Sequence, residues 1–123
     1  MKLKDIDFRV WDNEGKEYNK NKEVLLSSDN KIYRIHTITG ELQQLKDESL
    51  EVEFWTGFRD SDNVKVYDGD IIDAGDFRDV VKFEKSKGWI LQETLDSLDD
   101  YEDWQLEVIG NIHENPKLLG GEE

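Results

Sequence analysis

Ile6, Phe8 and Val10 alternate with Asp5, Asp7 and Arg9, the period of a strand with one face buried. The spacing predicts a strand over residues 3–11, closed by the turn residues Asp12-Asn13-Glu14-Gly15. Val24-Leu25-Leu26 is a short apolar run that stops at Ser27-Ser28-Asp29-Asn30. Lys31 to Ile38 is rich in Ile, Tyr and Thr and reads as a strand, although Ile32, Ile35 and Ile38 also fit a helical spacing. Thr39-Gly40 turns the chain into Glu41 to Leu45. Alternation returns at Leu50 to Trp55, with Leu50, Val52 and Phe54 on one face and Glu51, Glu53 and Trp55 on the other.

The second half repeats the theme. Val64 and Val66 open a short strand, Asp68-Gly69-Asp70 interrupts it, and Ile71-Ile72 resumes. Val80 to Phe83 and Trp89 to Leu91 flank Lys85-Ser86-Lys87-Gly88, a hairpin connection with Gly near its end. Leu95 to Asp103 is the one candidate helix, with Thr94 as its N-cap. Gln105 to Ile112 is a last strand, closed by Asn115-Pro116. Short strands at this spacing predict a mainly β chain. They give a small open antiparallel barrel of SH3-like size, placed over Gly69 to Ile112, plus an N-terminal β region and at most one short helix. Residues 1–119 form one domain, with possible sub-units 1–57 and 58–119, and 120–123 form a tail.

Composition narrows the function. The 123 residues carry 16 Lys and Arg against 30 Asp and Glu, a net charge of −14. Phosphate contact needs a basic surface, so this charge argues against direct nucleic-acid binding and against an anionic membrane. There is no Cys, hence no disulfide, thiolate nucleophile or Cys-ligated zinc. No apolar run approaches the roughly 20 residues of a membrane span. The N-terminus lacks the apolar stretch of a signal peptide, and a cytoplasmic protein is the expectation.

Chemistry has few places to reside. His36 lies in an Ile-rich strand and reads as a hydrogen-bonded structural His; His113 ends a strand beside Glu114. Asp60-Ser61-Asp62-Asn63 starts like a calcium loop, but Val64 and Lys65 stand where that loop needs Asp or Asn and then Gly, so a polar hairpin tip is expected. Asp68 and Asp70 would share a strand face, and a metal-dependent enzyme built on Asp68, Asp70 and His113 is one reading. Gly69 between them favours a tight bend instead. No Gly-rich phosphate loop or G-x-S-x-G occurs, and neither catalytic residues, metal ligands nor a cofactor are assigned. Asp96, Asp99, Asp100, Glu102 and Asp103 form an acidic cluster, read as a solvated face or as an imitation of duplex phosphates, whose charges recur about every 1.7 Å. Trp and Phe read first as core. Trp11 and Trp55 fall on the polar side of their strands and are candidate interface residues.

Five segments are similar, in order, to motifs of the YopX-like family of phage and prophage proteins. Phe8-Arg9-Val10-Trp11-Asp12 resembles its F-R-x-W-D opening. Phe54-Trp55-Thr56-Gly57-Phe58-Arg59-Asp60 resembles F/Y-T-G-L-x-D, and Val66-Tyr67-Asp68-Gly69-Asp70-Ile71-Ile72 resembles I-Y-E-G-D-I-V. Val80-Val81-Lys82-Phe83 and Val108-Ile109-Gly110-Asn111-Ile112-His113-Glu114-Asn115-Pro116 resemble V-V-x-F and V-I-G-N-I-Y-E-N-P. Asp68 stands for the common Glu and His113 for Tyr. The resemblance implies a mostly β fold and a bacterial or phage origin, and carries no established activity. Phe8, Arg9, Asp12, Thr56, Gly57, Asp68, Gly69, Asp70, Gly110 and Asn111 are therefore read as structural positions. The expected function is a non-enzymatic accessory protein acting by protein–protein contact or as a homo-oligomer. An acidic inhibitor that mimics nucleic acid before a host DNA- or RNA-binding protein is the alternative.

Overall fold

The computed structural model describes residues 2–19, 24–35, 38–45 and 48–120. His36 and the end of the tail lie outside the described residues. The described chain is antiparallel β throughout, with one sheet curled into a half-barrel. It divides into two compact units: Met1–Phe8 with Glu53–Glu123, and Arg9–Val52. The first is discontinuous in sequence.

β1 (Phe8–Asp12) enters the Arg9–Val52 unit at Arg9 and pairs there with β2 (Glu17–Tyr18), Trp11 facing Tyr18. The Asp12 carboxylate accepts the Glu14 N–H at 2.9 Å and stabilises the connecting turn. β3 (Val24–Leu26), β4 (Ile32–Ile35) and β5 (Leu42–Gln44) form a separate meander. Of its apolar side chains, Ile32 is buried while Leu25, Leu26 and Leu42 remain exposed.

The other unit holds the larger core. β6 (Leu50–Arg59) enters it at Glu53 and pairs with β7 (Lys65–Tyr67), with a bulge between the Trp55–Tyr67 and Arg59–Lys65 pairs. β8 (Asp70–Asp73), β9 (Arg78–Glu84), β10 (Gly88–Leu91) and β11 (Glu107–Asn111) form a sheet in the order β10-β9-β8-β11. β8 is interior, which explains why Asp70, Ile71 and Ile72 are all buried in succession. Val66, Ile72, Val81, Leu91, Leu98 and Leu106 close the core.

Three buried carboxylates tie its loops down. Asp79 accepts the N–H groups of Val80, Glu93 and Thr94. Asp60 accepts those of Asp62 and Val64 with one oxygen and Val108 with the other. Asp70 accepts the Tyr67 N–H at 2.7 Å. A hydrogen bond to a charged group contributes about 1.5–3 kcal/mol, so each carboxylate offsets part of its own desolvation by fixing a turn. The segment that opens like a calcium loop is thus a hairpin tip held by Asp60.

The predicted helix over Leu95–Asp103 does not form. Two 3-10 turns, Leu98–Asp100 and Asp103–Gln105, stand there. Leu95 has φ 66°, which breaks a right-handed helix, and the Thr94 hydroxyl accepts the Asp96 N–H in a local turn. Asp79 already holds the backbone of Glu93 and Thr94, and Leu98 is drawn into the core. Among the described residues no helix is long and apolar enough to cross a membrane.

Candidate functional site

Alternation along β6 inverts at its middle. Leu50, Val52 and Phe54 were the apolar face by pattern, yet Glu53 is buried and Phe54 is 39% exposed. Glu53 is taken inward by His113, whose Nε2 lies 2.7 Å from Glu53 Oε2. Gly69 makes room for this pair: a Cβ there would sit 3.2 Å from Glu53 Oε2, and its φ of 88° suits glycine.

Phe54 and Trp55 of β6 then open on a cleft of about 440 Å³. Phe83 of β9 and Trp89 of β10 line it, with their rings edge-to-face at 5.2 Å. Ile6 closes one side and three carboxylates, Asp5, Asp7 and Asp68, complete the lining. Phe83 is 60% exposed and Ile6 46%. A sheet that ends its apolar face in open aromatic side chains leaves apolar area to be covered by something else. Reading every Phe as core misses this: Phe83 follows the buried Val81 with the correct period, but β9 runs past the end of the core there. Ile6, Phe54, Phe83 and Trp89 were not foreseen as a group, because four chain segments supply them.

The polar side of the cleft is ordered. Asp7 Oδ2 accepts the Lys65 ammonium at 2.8 Å and the Tyr67 hydroxyl at 2.5 Å. Burial pushes the Asp7 carboxyl up, but these bonds outweigh it and hold the group below its ordinary range. Lys65 Nζ also stands 4.5 Å from the Trp55 ring centroid, and the Arg59 guanidinium 5.3 Å. The Trp55 indole N–H donates to the Phe58 carbonyl at 2.8 Å.

The other candidate residues separate into distinct places. Trp11 is buried at 4% exposure, contrary to its place on the polar side of β1. Tyr18, its cross-strand partner, packs edge-on against it, and Asn13 accepts its indole N–H. Phe8 packs against Phe54, and the Arg9 guanidinium lies over Tyr18. Thr56 is buried, its hydroxyl donating to the Val66 carbonyl and accepting the Phe58 N–H across the bulge at Gly57. Gly110 sits at a bulge of β11, where a Cβ would meet Asn115 at 2.6–2.8 Å. Asn111 accepts the N–H groups of His113 and Glu114. Asp68 faces the cleft while Asp70 is buried under the turn, and the ligand atoms of Asp68, Asp70 and His113 do not gather within 4.8 Å.

Asp99, Asp100, Glu102 and Asp103 are exposed, whereas Asp96 accepts the Tyr101 hydroxyl at 2.7 Å. That bond, with burial and the Asp96 charge, pushes the Tyr101 phenol up to about 12. Trp104, within the same segment, is 74% exposed. Reading Trp as core missed it, although its acidic neighbours were the available signal.

The model of the YopX protein family matches residues 7–120. The chain belongs to the YopX family. Its fold is similar to the crystal structure of protein EF1440 from Enterococcus faecalis, at 24% identity, covering 93% of this chain and 97% of that one with a TM-score of 0.65. It is likewise similar to the crystal structure of YopX from Bacillus subtilis, at 22% identity, covering 94% and 97% with a TM-score of 0.60. None of the curated proteins matches it. In this YopX-family chain the motif around Asp68-Gly69-Asp70 shapes a turn at the cleft wall, and the motif ending in Phe83 supplies its most exposed aromatic.

Proposed function

We propose that this YopX-family protein is a non-enzymatic accessory protein of phage or prophage origin, acting in the cytoplasm by protein–protein contact through the aromatic cleft. The observation that carries the reading is the convergence of Ile6, Phe54 and Phe83, all substantially exposed, on one cavity. Apolar surface removed from water stabilises a complex by about 25 cal/mol per Å² before the costs of association. The family-motif residues support the same reading, since Thr56, Asp70, Gly110 and Asn111 form internal turn and bulge contacts.

The test uses wild-type protein and Phe83→Asp as paired baits in bacterial lysate. A prey held by the wild type and lost by the variant is purified, and its direct binding measured. Equal retention by both baits would remove the cleft from the reading. Sedimentation velocity of the wild type over a range of concentrations separates a second copy of this chain from a different partner.

A second reading rests on Asp99, Asp100, Glu102 and Asp103, which present exposed carboxylates beside the exposed Trp104. Such a face supports mimicry of duplex phosphates. Excess duplex DNA in the same capture would then release the prey, and Asp99→Asn with Asp100→Asn would weaken its retention.

A further inference from the structure

The apolar floor of the cleft does not by itself choose a partner; the rim does. Among the described residues, the charged groups that line the cavity are carboxylates: Asp5, Asp7 and Asp68. A negative rim on a chain of net charge −14 repels phosphates and acidic segments and draws cationic ones. The chain itself displays the recognition chemistry. Lys65 places its ammonium 2.8 Å from Asp7 Oδ2 and 4.5 Å from the Trp55 ring, using two residues that also line the cleft. A carboxylate and an aromatic face together suit an ammonium or guanidinium, one through a charge-assisted hydrogen bond and the other through its ring quadrupole.

We propose that the cleft binds an extended protein segment bearing a lysine or arginine beside an apolar residue. The cation settles at the Asp5–Asp68 side and the apolar neighbour against Phe54 and Phe83. A cavity of about 440 Å³ holds a few side chains, not a folded element. This rests on the cleft being the contact surface, and deepens that reading by naming the chemistry of its occupant.

The experiment uses the full chain and an array of capped hexapeptides in which one position is fixed as Lys, Arg, norleucine or Glu and the others vary among Leu, Val, Gly and Ser. The Lys and Arg sub-arrays are expected to give the strongest binders. Those peptides, measured by isothermal calorimetry, should bind Phe83→Ser about tenfold more weakly and Asp68→Asn several-fold more weakly. Glu107→Gln, an exposed carboxylate change outside the cleft, should leave affinity unchanged. Circular dichroism melts confirm that each variant folds. Equal binding of the norleucine sub-array overturns the basic occupant and leaves the cleft as an apolar contact site. Loss on Glu107→Gln as large as on Asp68→Asn overturns it too, by assigning the attraction to the whole acidic protein. Selected peptides that bind Phe83→Ser as well as wild type overturn both the occupant and the cleft. Absence of binding in every sub-array at millimolar peptide overturns the proposal outright.

Discussion

The two units use the same local patterns to different ends. The Met1–Phe8 and Glu53–Glu123 unit buries Val66, Ile71, Ile72, Val80, Val81, Ile90, Leu91, Leu98 and Leu106. Among the described residues of Arg9–Val52, the buried apolar side chains are Val10, Trp11 and Ile32, while Leu25, Leu26, Ile38 and Leu42 stay exposed. Short alternating strands therefore do not by themselves make a core. In the first unit an interior strand, β8, is covered on both faces and buried carboxylates hold the loops over it. The three-stranded meander of the second has no strand with such a run of buried residues.

Leu91→Ala, at 0% exposure in β10, should destabilise the chain most. Truncating a closed core site costs about 2–5 kcal/mol, whereas Leu25→Ala on the open meander should stay within about 0.5 kcal/mol. Urea unfolding of the two variants checks the contrast, and equal midpoints would refute it.

Asp79→Ala should follow closely, at about 2–4 kcal/mol, because the N–H groups of Glu93 and Thr94 lose their charged acceptor. Thermal melts report the loss, and hydrogen exchange at Glu93 and Thr94 should show it locally. None of this was legible in the sequence. Asp79 sits beside Arg78 in an acidic chain, and its burial at 1% depends on a loop fifteen residues on. The strands were legible, since Phe8 to Val10, Ile71-Ile72 and Val80-Val81 carry their periodicity locally, although the first begins at Phe8 rather than at residue 3, where Leu3–Asp5 forms a 3-10 turn. So was the turn at Asp68-Gly69-Asp70.

Gly69→Ala tests the cleft wall with a smaller effect. A φ of 88° and a Cβ 3.2 Å from Glu53 Oε2 should cost about 1–2 kcal/mol. The equivalent change at Gly40, with φ 75° and open space around it, meets the backbone penalty alone. A melting difference between the two variants sharpens the contribution of close packing in the larger unit.

The smallest effect is one of pH. Tyr101 has its phenol raised from 10.0 to about 12, chiefly by its hydrogen bond to Asp96. A raised folded value means that its stabilisation is complete below about pH 10 and fades as pH climbs from 10 to 12. Ultraviolet difference titration should show a late-ionising tyrosine, and Asp96→Asn should return it toward 10.0. An unchanged midpoint in the variant would remove Asp96 as the cause.

The β class, most strand positions and the hairpin at Lys85–Gly88 were set by the sequence alone, because period-two patterning and turn residues act over a few neighbours; the YopX-family resemblance came from five ordered motifs, and the family model matches residues 7–120. Tertiary structure decided which face of each strand met the core. Trp11 went inward from a polar-side position, Phe54 and Phe83 stayed open, and Glu53 was buried because His113, sixty residues away, could receive it. It also replaced a short amphipathic helix by two 3-10 turns, since Asp79 and the core fixed both ends of that loop. Local pattern records what a residue prefers. Burial depends on which distant surface arrives to cover it, and that is settled only when the sheets pack.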